Sequence, residues 1–270
     1  MRTIRGRLLT AATWLIALVF FFPIAWMVFT SFKSENAAAS IPPTFITPLS
    51  FDNYVAVFDR GMGSYLINSL TASVSSTLFV LLLAIPCAYG LSIRPIKRVS
   101  DVLAFFISTR FLPAAASIIP IYFILRQLGA LDNITAIGFL YVAINLPIAV
   151  WMMRSFFNEV PYEIIEAAQI DGANQRREML QVVLPIVLPG VAAVALICFI
   201  FSWNEYFLAS LLTTDTARTA PPFLASFVDG RGQFLAVLSA AATVAVLPVV
   251  AAGWVAQKQL VRGLAMGAVK

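Results

Sequence analysis

Few side chains in this 270-residue chain could do chemistry, and most of them crowd into one stretch. Residues 159–190 read EVPYEIIEAAQIDGANQRREMLQVVLPIVLPG and hold Glu159, Glu163, Glu166, Asp171 and Glu178, five of the thirteen acids. Histidine is absent, Cys87 and Cys198 sit singly inside apolar runs, and no Cys-x-x-Cys occurs. A zinc site of the usual Cys/His type is thereby excluded, no metal ligand set is expected, and packing is the expected role of both cysteines. The sequence has no H-E-x-x-H, no G-x-S-x-G and no G-x-x-x-x-G-K-[ST] loop to cradle nucleotide phosphates. Without a nucleophile beside a base, or an acid pair, an intramembrane enzyme is disfavoured and no catalytic residue is expected. The chemistry left to the stretch is recognition, a docking surface for a partner.

The elements that must position this stretch are apolar. The chain is 60% hydrophobic and 11% charged, with mean hydropathy +0.89, whereas soluble domains carry about 25% charged residues. An all-α integral membrane protein is expected. Net charge +5 comes from basic residues scattered over short loops; they form no stripe, which argues against nucleic acid as a partner. A bilayer core needs about 20 mainly apolar residues per helix. Six stretches qualify as transmembrane helices of a single transmembrane domain over 1–270: 11–32, 66–91, 102–125, 133–157, 186–212 and 234–256. The first follows a basic start, as a signal peptide would. Its apolar run exceeds the about 7–15 residues of a signal core and ends in no Ala-x-Ala site, so it is expected to stay as a span. With the N-terminus inside, the inner segments carry Arg2, Arg5, Arg7, Arg94, Lys97, Arg98, Arg154, Arg176, Arg177, Lys258, Arg262 and Lys270, twelve in all. The outer loops carry five: Lys33, Arg60, Arg126, Arg218 and Arg231. This bias predicts both termini in the cytoplasm and the loop 159–185 beside them.

Proline recurs inside the expected spans at Pro23, Pro86, Pro113, Pro120, Pro147 and Pro248. Each removes a helix hydrogen bond, and kinked helices suit a protein that changes shape. Ser69, Ser73 and Ser76/Thr77 share one face of the second span, where small polar groups favour close helix packing over a pathway lining. Arg110 falls about nine residues into the third span, roughly 13 Å deep, and is expected to face the bundle interior or a wet cavity. Glu205 lies in FSWNEYF near the outer end of the fifth, with Trp203, Asn204 and Tyr206. Two readings stay open for Glu205: a charge at headgroup level, or a polar gate. The long outer loops 34–65 and 213–233 are read as surface segments, with turns expected at Pro221, Pro222, Gly230 and Gly232. No span carries a ladder of acids for proton relay, so uphill transport would draw its energy from another subunit.

Within 159–190, Pro161 suits a first helical turn and Glu163 and Glu166 suit its dipole, which predicts a short helix over 162–170. Gly172 can take the left-handed conformation that ends it. Asn174 can cap a second short helix over 175–183, before Pro185. The first helix is expected to bury Ile164, Ile165 and Ala168, the second to offer Met179, Leu180 and Val183. The tiny side chains of Ala167, Ala168 and Gly172 would let another backbone approach.

The spacing Glu166-Ala167-Ala168, Gly172, then Val182-x-Leu184-Pro185 resembles the EAA-x3-G-x9-I-x-LP signature of ABC importer membrane subunits, with Val182 in place of Ile. Further stretches resemble the MalG-like carbohydrate-uptake branch over nearly the whole chain: LINSL from Leu66, IPIYFILRQLGALDN from Ile119, LPIAVWMMRSFF from Leu146, WNE at Trp203–Glu205, and the tail QKQLVRGLAMGAVK. The resemblance implies that Glu166, Ala167, Ala168, Asp171, Gly172, Val182, Leu184 and Pro185 form a coupling helix docked in a cleft of an ATPase subunit. It also implies that a tail, 257–270, reaches between the ATPase subunits through Gln257, Arg262, Gly263, Gly267 and Lys270. The implied partners are a second related permease, an ATPase dimer that binds ATP and magnesium, an extracytoplasmic solute-binding protein and membrane lipid. The chain itself is expected to hold no cofactor and to form half of a sugar pathway in a bacterial or archaeal plasma membrane. Arg110, Trp203, Asn204 and Glu205 are the pathway or gate candidates. In the maltose system the loop matching 213–233 probes the binding protein. The same architecture importing a polyol or glycerol phosphate is the alternative, and a self-powered secondary transporter is the reading from another class.

Overall fold

A computed structural model describes residues 4–94, 97–111, 114–228 and 234–267, and no strand occurs among them. In chain order the helices are α1 (Ile4–Thr30), α2 (Glu35–Ala38), α3 (Asp52–Asp59), α4 (Met62–Ser92), α5 (Val99–Arg110), α6 (Ala114–Gln127) and α7 (Ile134–Asn158). Then come α8 (Tyr162–Ile170), α9 (Gln175–Arg177), a π-helical turn (Glu178–Val183), α10 (Leu184–Ile186), α11 (Leu188–Trp203), α12 (Phe207–Leu212), α13 (Ala220–Ala225) and α14 (Leu235–Gly267). Among the described residues, four helices (α1, α4, α7 and α14) are long and apolar enough to cross a membrane, or up to six if two broken helix pairs each count as one span.

Several boundaries differ from those expected. The stretch 102–125 is divided between α5 and α6, and Pro113 lies outside the described residues. The stretch 186–212 is bent by 80° between the helical segment ending at Ile186 and α11, and it breaks again at Asn204–Tyr206. There the Asn204 amide donates to the Ile200 carbonyl at 2.8 Å, while the Glu205 carboxylate accepts from the Leu208 and Ala209 amides at 2.9 and 3.1 Å. Polar side chains thus take backbone partners from the helix and start a new one. The last helix does not stop near residue 256 but runs to Gly267. Pro221 and Pro222 stand in the first turn of α13 rather than in a turn, because a helix leaves its first amides unpaired and loses nothing to proline there. Gly230, Arg231 and Gly232 lie outside the described residues. The helices α1, α4, α6, α7 and α14 run through Pro23, Pro86, Pro120, Pro147 and Pro248 without interruption.

The chain forms two compact units, one of residues 1–65 and 222–247, the other of 66–221 and 248–270. In the first, Lys33, counted with the outer loops, is buried. Its ammonium stands 4.2 and 4.4 Å from the Trp26 and Phe29 ring centroids and donates to the Thr44 carbonyl at 2.7 Å. The Glu35 carboxylate accepts from the Ala236 and Val237 amides at 2.9 and 3.0 Å, at the start of α14, where the helix dipole favours a negative charge.

The second unit is built round α7, which packs against α4, α5 and α11. Its core joins Val80, Ala84 and Ala88 of α4 to Val150, Met153 and Phe157 of α7 and Val194 and Cys198 of α11. Ser69, Ser73, Ser76 and Thr77 are all buried. Ser76 and Ser202 share a 3.0 Å hydrogen bond, and the Asn145 amide donates to Ser202 at 3.0 Å. The serine face therefore packs helices together, as small polar residues do in membranes. Gly190 permits the closest approach. A Cβ there would lie 2.3 Å from the Phe156 ring.

The second unit also has two hydrogen-bonded ends. At one, Asp132 donates its amide to the Leu212 carbonyl at 3.0 Å. Its carboxylate accepts from the amides of Thr214, Asp215, Thr216 and Ala217 at 2.9 to 3.3 Å. Asn68 donates to the Thr216 and Arg218 carbonyls, and Ser69 accepts from the Ala220 amide. Burial pushes the Asp132 carboxyl up, yet the amides of Thr214, Ala217 and Thr216 outweigh it and hold the group well below the usual carboxylate range. The other end carries α8 to α10.

Candidate functional site

The helix expected over 162–170 is α8, with those bounds. Pro161 precedes it, Glu163 stands in its first turn, and Gly172 follows at φ +78°. That left-handed conformation costs an L-residue about 1–2 kcal/mol and glycine nothing comparable. The Asn174 side chain accepts from the Arg177 amide at 2.9 Å, the cap expected of it. The second helix then departs from the expected form. Only Gln175–Arg177 is α-helical, and 178–183 widen into a π-turn in which the Leu184 amide reaches the Met179 carbonyl. Pro185, which has no amide to donate, follows at once.

The two short helices form a knob whose apolar face continues the core of the unit. Ile165 and Ala168 of α8 and Val183 are buried with Val160 and Phe157. Ile164 and Met179 are half-buried, and Leu180 is exposed. Ala168 is thus part of the floor, whereas Ala167 and Gly172 are both exposed. Glu163, Ile164, Ala167, Ala168, Asp171 and Val182 line an open depression of 410 Å³. Glu166 and Asp171 are exposed beside it, so the rim is acidic and the floor is made of small and aliphatic side chains. The structure brings Glu166, Ala167, Ala168, Asp171, Gly172 and Val182 together on the knob, with Leu184 and Pro185 at the exit towards α11.

One residue of the knob was not singled out by the sequence. Glu178 has no exposed surface. Its carboxylate accepts from the Tyr89 hydroxyl at 2.5 Å, the Arg94 guanidinium at 2.8 Å and the Gln169 amide at 3.1 Å. Tyr89 and Arg94 lie at the end of α4, Gln169 in α8. Nothing local in the sequence marks this cluster, because its members are as far as 89 positions apart.

The pathway candidates are not gathered into one site. Arg110 ends α5, is exposed, and donates to the Ile144 carbonyl with its guanidinium 5.9 Å from the Phe201 ring centroid. Trp203 is buried and stacked on Phe199 at 5.7 Å. Glu205 caps α12, and Asn204 is exposed at the end of α11. Of the expected tail, Gln257 is described and exposed, Arg262, Gly263 and Gly267 continue the backbone of α14, and Lys270 lies outside the described residues.

Residues 61–265 match the binding-protein-dependent transport system inner membrane component family. The probable ABC transporter permease protein y4oR of Sinorhizobium fredii is 36% identical over 100% of this chain and 97% of its own. The trehalose/maltose transport system permease protein MalG of Thermococcus litoralis is 31% identical over 95% of this chain and 94% of its own. A crystal structure of a bacterial ABC transporter that imports the acidic polysaccharide alginate superposes with a TM-score of 0.74, at 26% identity, covering 95% of this chain and 96% of that one. A helical chain with several apolar spans, a knob carrying the Glu166 to Pro185 pattern, and these matches together establish that the protein belongs to the family of inner membrane components of binding-protein-dependent transport systems.

Proposed function

We propose that this permease subunit forms half of the pathway of an ATP-driven importer for sugars, and that its knob docks onto an ATPase subunit on the cytoplasmic side. The family is one of binding-protein-dependent transport, which supports an extracytoplasmic solute-binding protein as partner. The sugar class is supported by relatives named for trehalose, for trehalose and maltose, and for melibiose, raffinose and stachyose. A second permease would supply the other half. The helix α1 buries none of its most apolar window against the rest of the chain, which fits a surface facing lipid and that second permease.

The observation that carries the docking role is the acid-rimmed depression on the knob. Its apolar underside is continuous with the hydrophobic core of the second unit, so a force applied to the knob reaches the helices packed in that core without a flexible linker. In this reading Glu166 pairs with a basic residue of the ATPase, while Ala167 and Gly172 allow its backbone close. The tail 257–270, with Gln257, Arg262, Gly263, Gly267 and Lys270, reaches towards the ATPase dimer. ATP-driven closure of that dimer moves the knob, rocks the spans and opens the pathway outward. ATP and magnesium bind to the partner, and this chain performs no hydrolysis. Trp203 and Glu205 serve packing and capping in this chain, which leaves Arg110 and Asn204, both exposed, as the candidates to meet solute.

Six crossings with both termini cytoplasmic fit the knob's position and the bias of basic residues. The variant Gly172→Asp tests the coupling role. It is expected to insert into the membrane and assemble while hydrolysis no longer drives uptake. Normal uptake of trehalose or another transported sugar by that variant would remove the role, and purification of the native chain without any ATPase would remove the docking reading altogether.

A further inference from the structure

The knob needs more than a docking surface: it must be fixed to a span for its movement to matter. Three donors, two from the end of α4 and one from the knob itself, converge on the one carboxylate of the knob that has no exposed surface. Tyr89 and Arg94 reach it from the end of α4, and Gln169 reaches it from α8. The Arg94–Glu178 pair is an ion pair at 2.8 Å in which the acid is wholly buried and the guanidinium partly exposed. A buried carboxylate is costly unless paired and hydrogen-bonded, so an arrangement that splits this cluster leaves an uncompensated charge. The π-turn begins at Glu178 itself, and π-turns recur at functional positions in helices. Neighbouring contacts strengthen the fixture. The Tyr89 ring meets Phe157 of α7 edge-on at 6.1 Å, and the Arg154 guanidinium donates to the Leu91 carbonyl at 3.4 Å.

We infer that Glu178 is a positioning residue. Held by Tyr89, Arg94 and Gln169, it locks the knob to the end of α4, so that knob and span move as one body when the ATPase moves. The inference rests on the docking reading above and adds the path by which a displacement leaves the knob. That path is short and specific. An aliphatic contact between knob and span can slide, whereas a buried ion pair with two further hydrogen bonds has one geometry. Arg94 belongs to no part of the docking surface, yet the inference makes it as necessary to coupling as the knob's own residues.

The test uses the full importer, purified with its ATPase and partner permease, with Cys87 and Cys198 replaced by serine. Spin labels go on Gln175 in the knob and Ser100 in α5, just beyond the end of α4, both exposed. Their distance distribution is read without nucleotide and after trapping with ATP and vanadate. In the native background it should be narrow and unchanged by trapping. In Arg94→Met, which leaves every knob residue in place, and in Glu178→Gln, it should broaden and shift on trapping by about 2 Å or more. Arg94→Lys should restore most of the narrow distribution. Native-like distributions in both variants, or a native distance that itself changes on trapping, would overturn the linkage. If the native chain purifies without an ATPase, the docking reading falls, and the widths without nucleotide still test the lock by themselves.

Discussion

At the scale of single residues, the groups that do most are not those with the most conspicuous chemistry. Asp132 has φ +51°, an unusual conformation for a residue with a side chain, and its two oxygens collect four backbone amides. Asn tolerates the same conformation, so Asp132→Asn keeps the backbone and removes the charge. Hydrogen bonds to a charged acceptor contribute about 1.5–3 kcal/mol, and partial exposure of Asp132 places this one at the low end. The variant should lower the thermal midpoint of the purified protein and speed proteolysis within 213–217. The pH dependence has a definite sign. The folded carboxyl lies below its ordinary value, so its stabilisation is full above the unfolded Asp value of about 3.9 and is lost as pH falls through that value towards the folded one. The gap between native protein and Asp132→Asn should therefore be constant from pH 7 to about 5 and shrink only below about 4. A gap that changes between pH 7 and 5 would assign the effect to another group. Gly172 offers a second case. A Cβ there meets nothing within 4 Å, so Gly172→Ala should cost only the left-handed backbone, about 1–2 kcal/mol, and Gly172→Asn less. Equal losses in both, by thermal unfolding, would point to a steric cause instead.

At the scale of elements, the junction of α7 and α11 is set by one missing side chain. The Phe156 ring occupies the place where a Cβ of residue 190 would stand. Gly190→Ala should destabilise by about 1–3 kcal/mol, the usual cost of overpacking. Phe156→Leu alone should cost less than a cavity-forming change, and in combination it should recover part of the Gly190→Ala loss. Strict additivity in that double-mutant cycle would mean the two helices do not meet at this pair. Elements with local causes were legible in the sequence. The bounds of α8 follow from Pro161, the acids of the first turn and Gly172, and the start of α7 follows from Asn133, whose side chain accepts from the Thr135 and Ala136 amides. Elements shaped from a distance were not. The π-turn after Arg177 accompanies a carboxylate held by Arg94, 84 positions earlier, and periodicity within 175–183 contains no trace of that partner. The break at Asn204–Tyr206 was hidden for a different reason. Glu205 was read as a headgroup-level charge or a polar gate, and neither reading includes the use its carboxylate makes of the Leu208 and Ala209 amides of α12. The serine face of α4 was read for packing and does pack, because small polar residues at helical spacing act through their nearest neighbours.

At the scale of the whole molecule, hydrogen bonds within the second unit bear on how the broken helix pairs count. Asp132 ties the turn before α7 to residues 212–217, while Glu178 ties the knob to Tyr89 and Arg94. Between these two ends runs α7, whose 25 residues give a length of about 38 Å at 1.5 Å per residue, more than a bilayer core of about 30 Å. The chain leaves Arg94 at one end and arrives at Asp132 at the other, so α5 and α6 together have to cover the distance. The second broken pair joins the helical segment Gln175–Ile186 to α11 with a bend of 80°, and from there α12 leads to Leu212, beside Asp132. If each broken pair is one crossing, the described residues hold six together with α1, α4, α7 and α14. Cysteine labelling in membranes checks this without any knowledge of solute. In a background lacking Cys87 and Cys198, single cysteines at Lys97 and Gln175 should react only with reagent that enters the cytoplasm. Cysteines at Leu128 and Asp215 should react with impermeant reagent from outside. All four positions are exposed in the chain itself, so, with the chain labelled in membranes stripped of the ATPase, failure to label reflects sidedness. If Lys97 and Leu128 labelled from the same side, α5 and α6 would be a re-entrant loop and the count would drop to five. If Gln175 labelled from outside, the knob could not meet an ATPase, and the proposed coupling would fail with it.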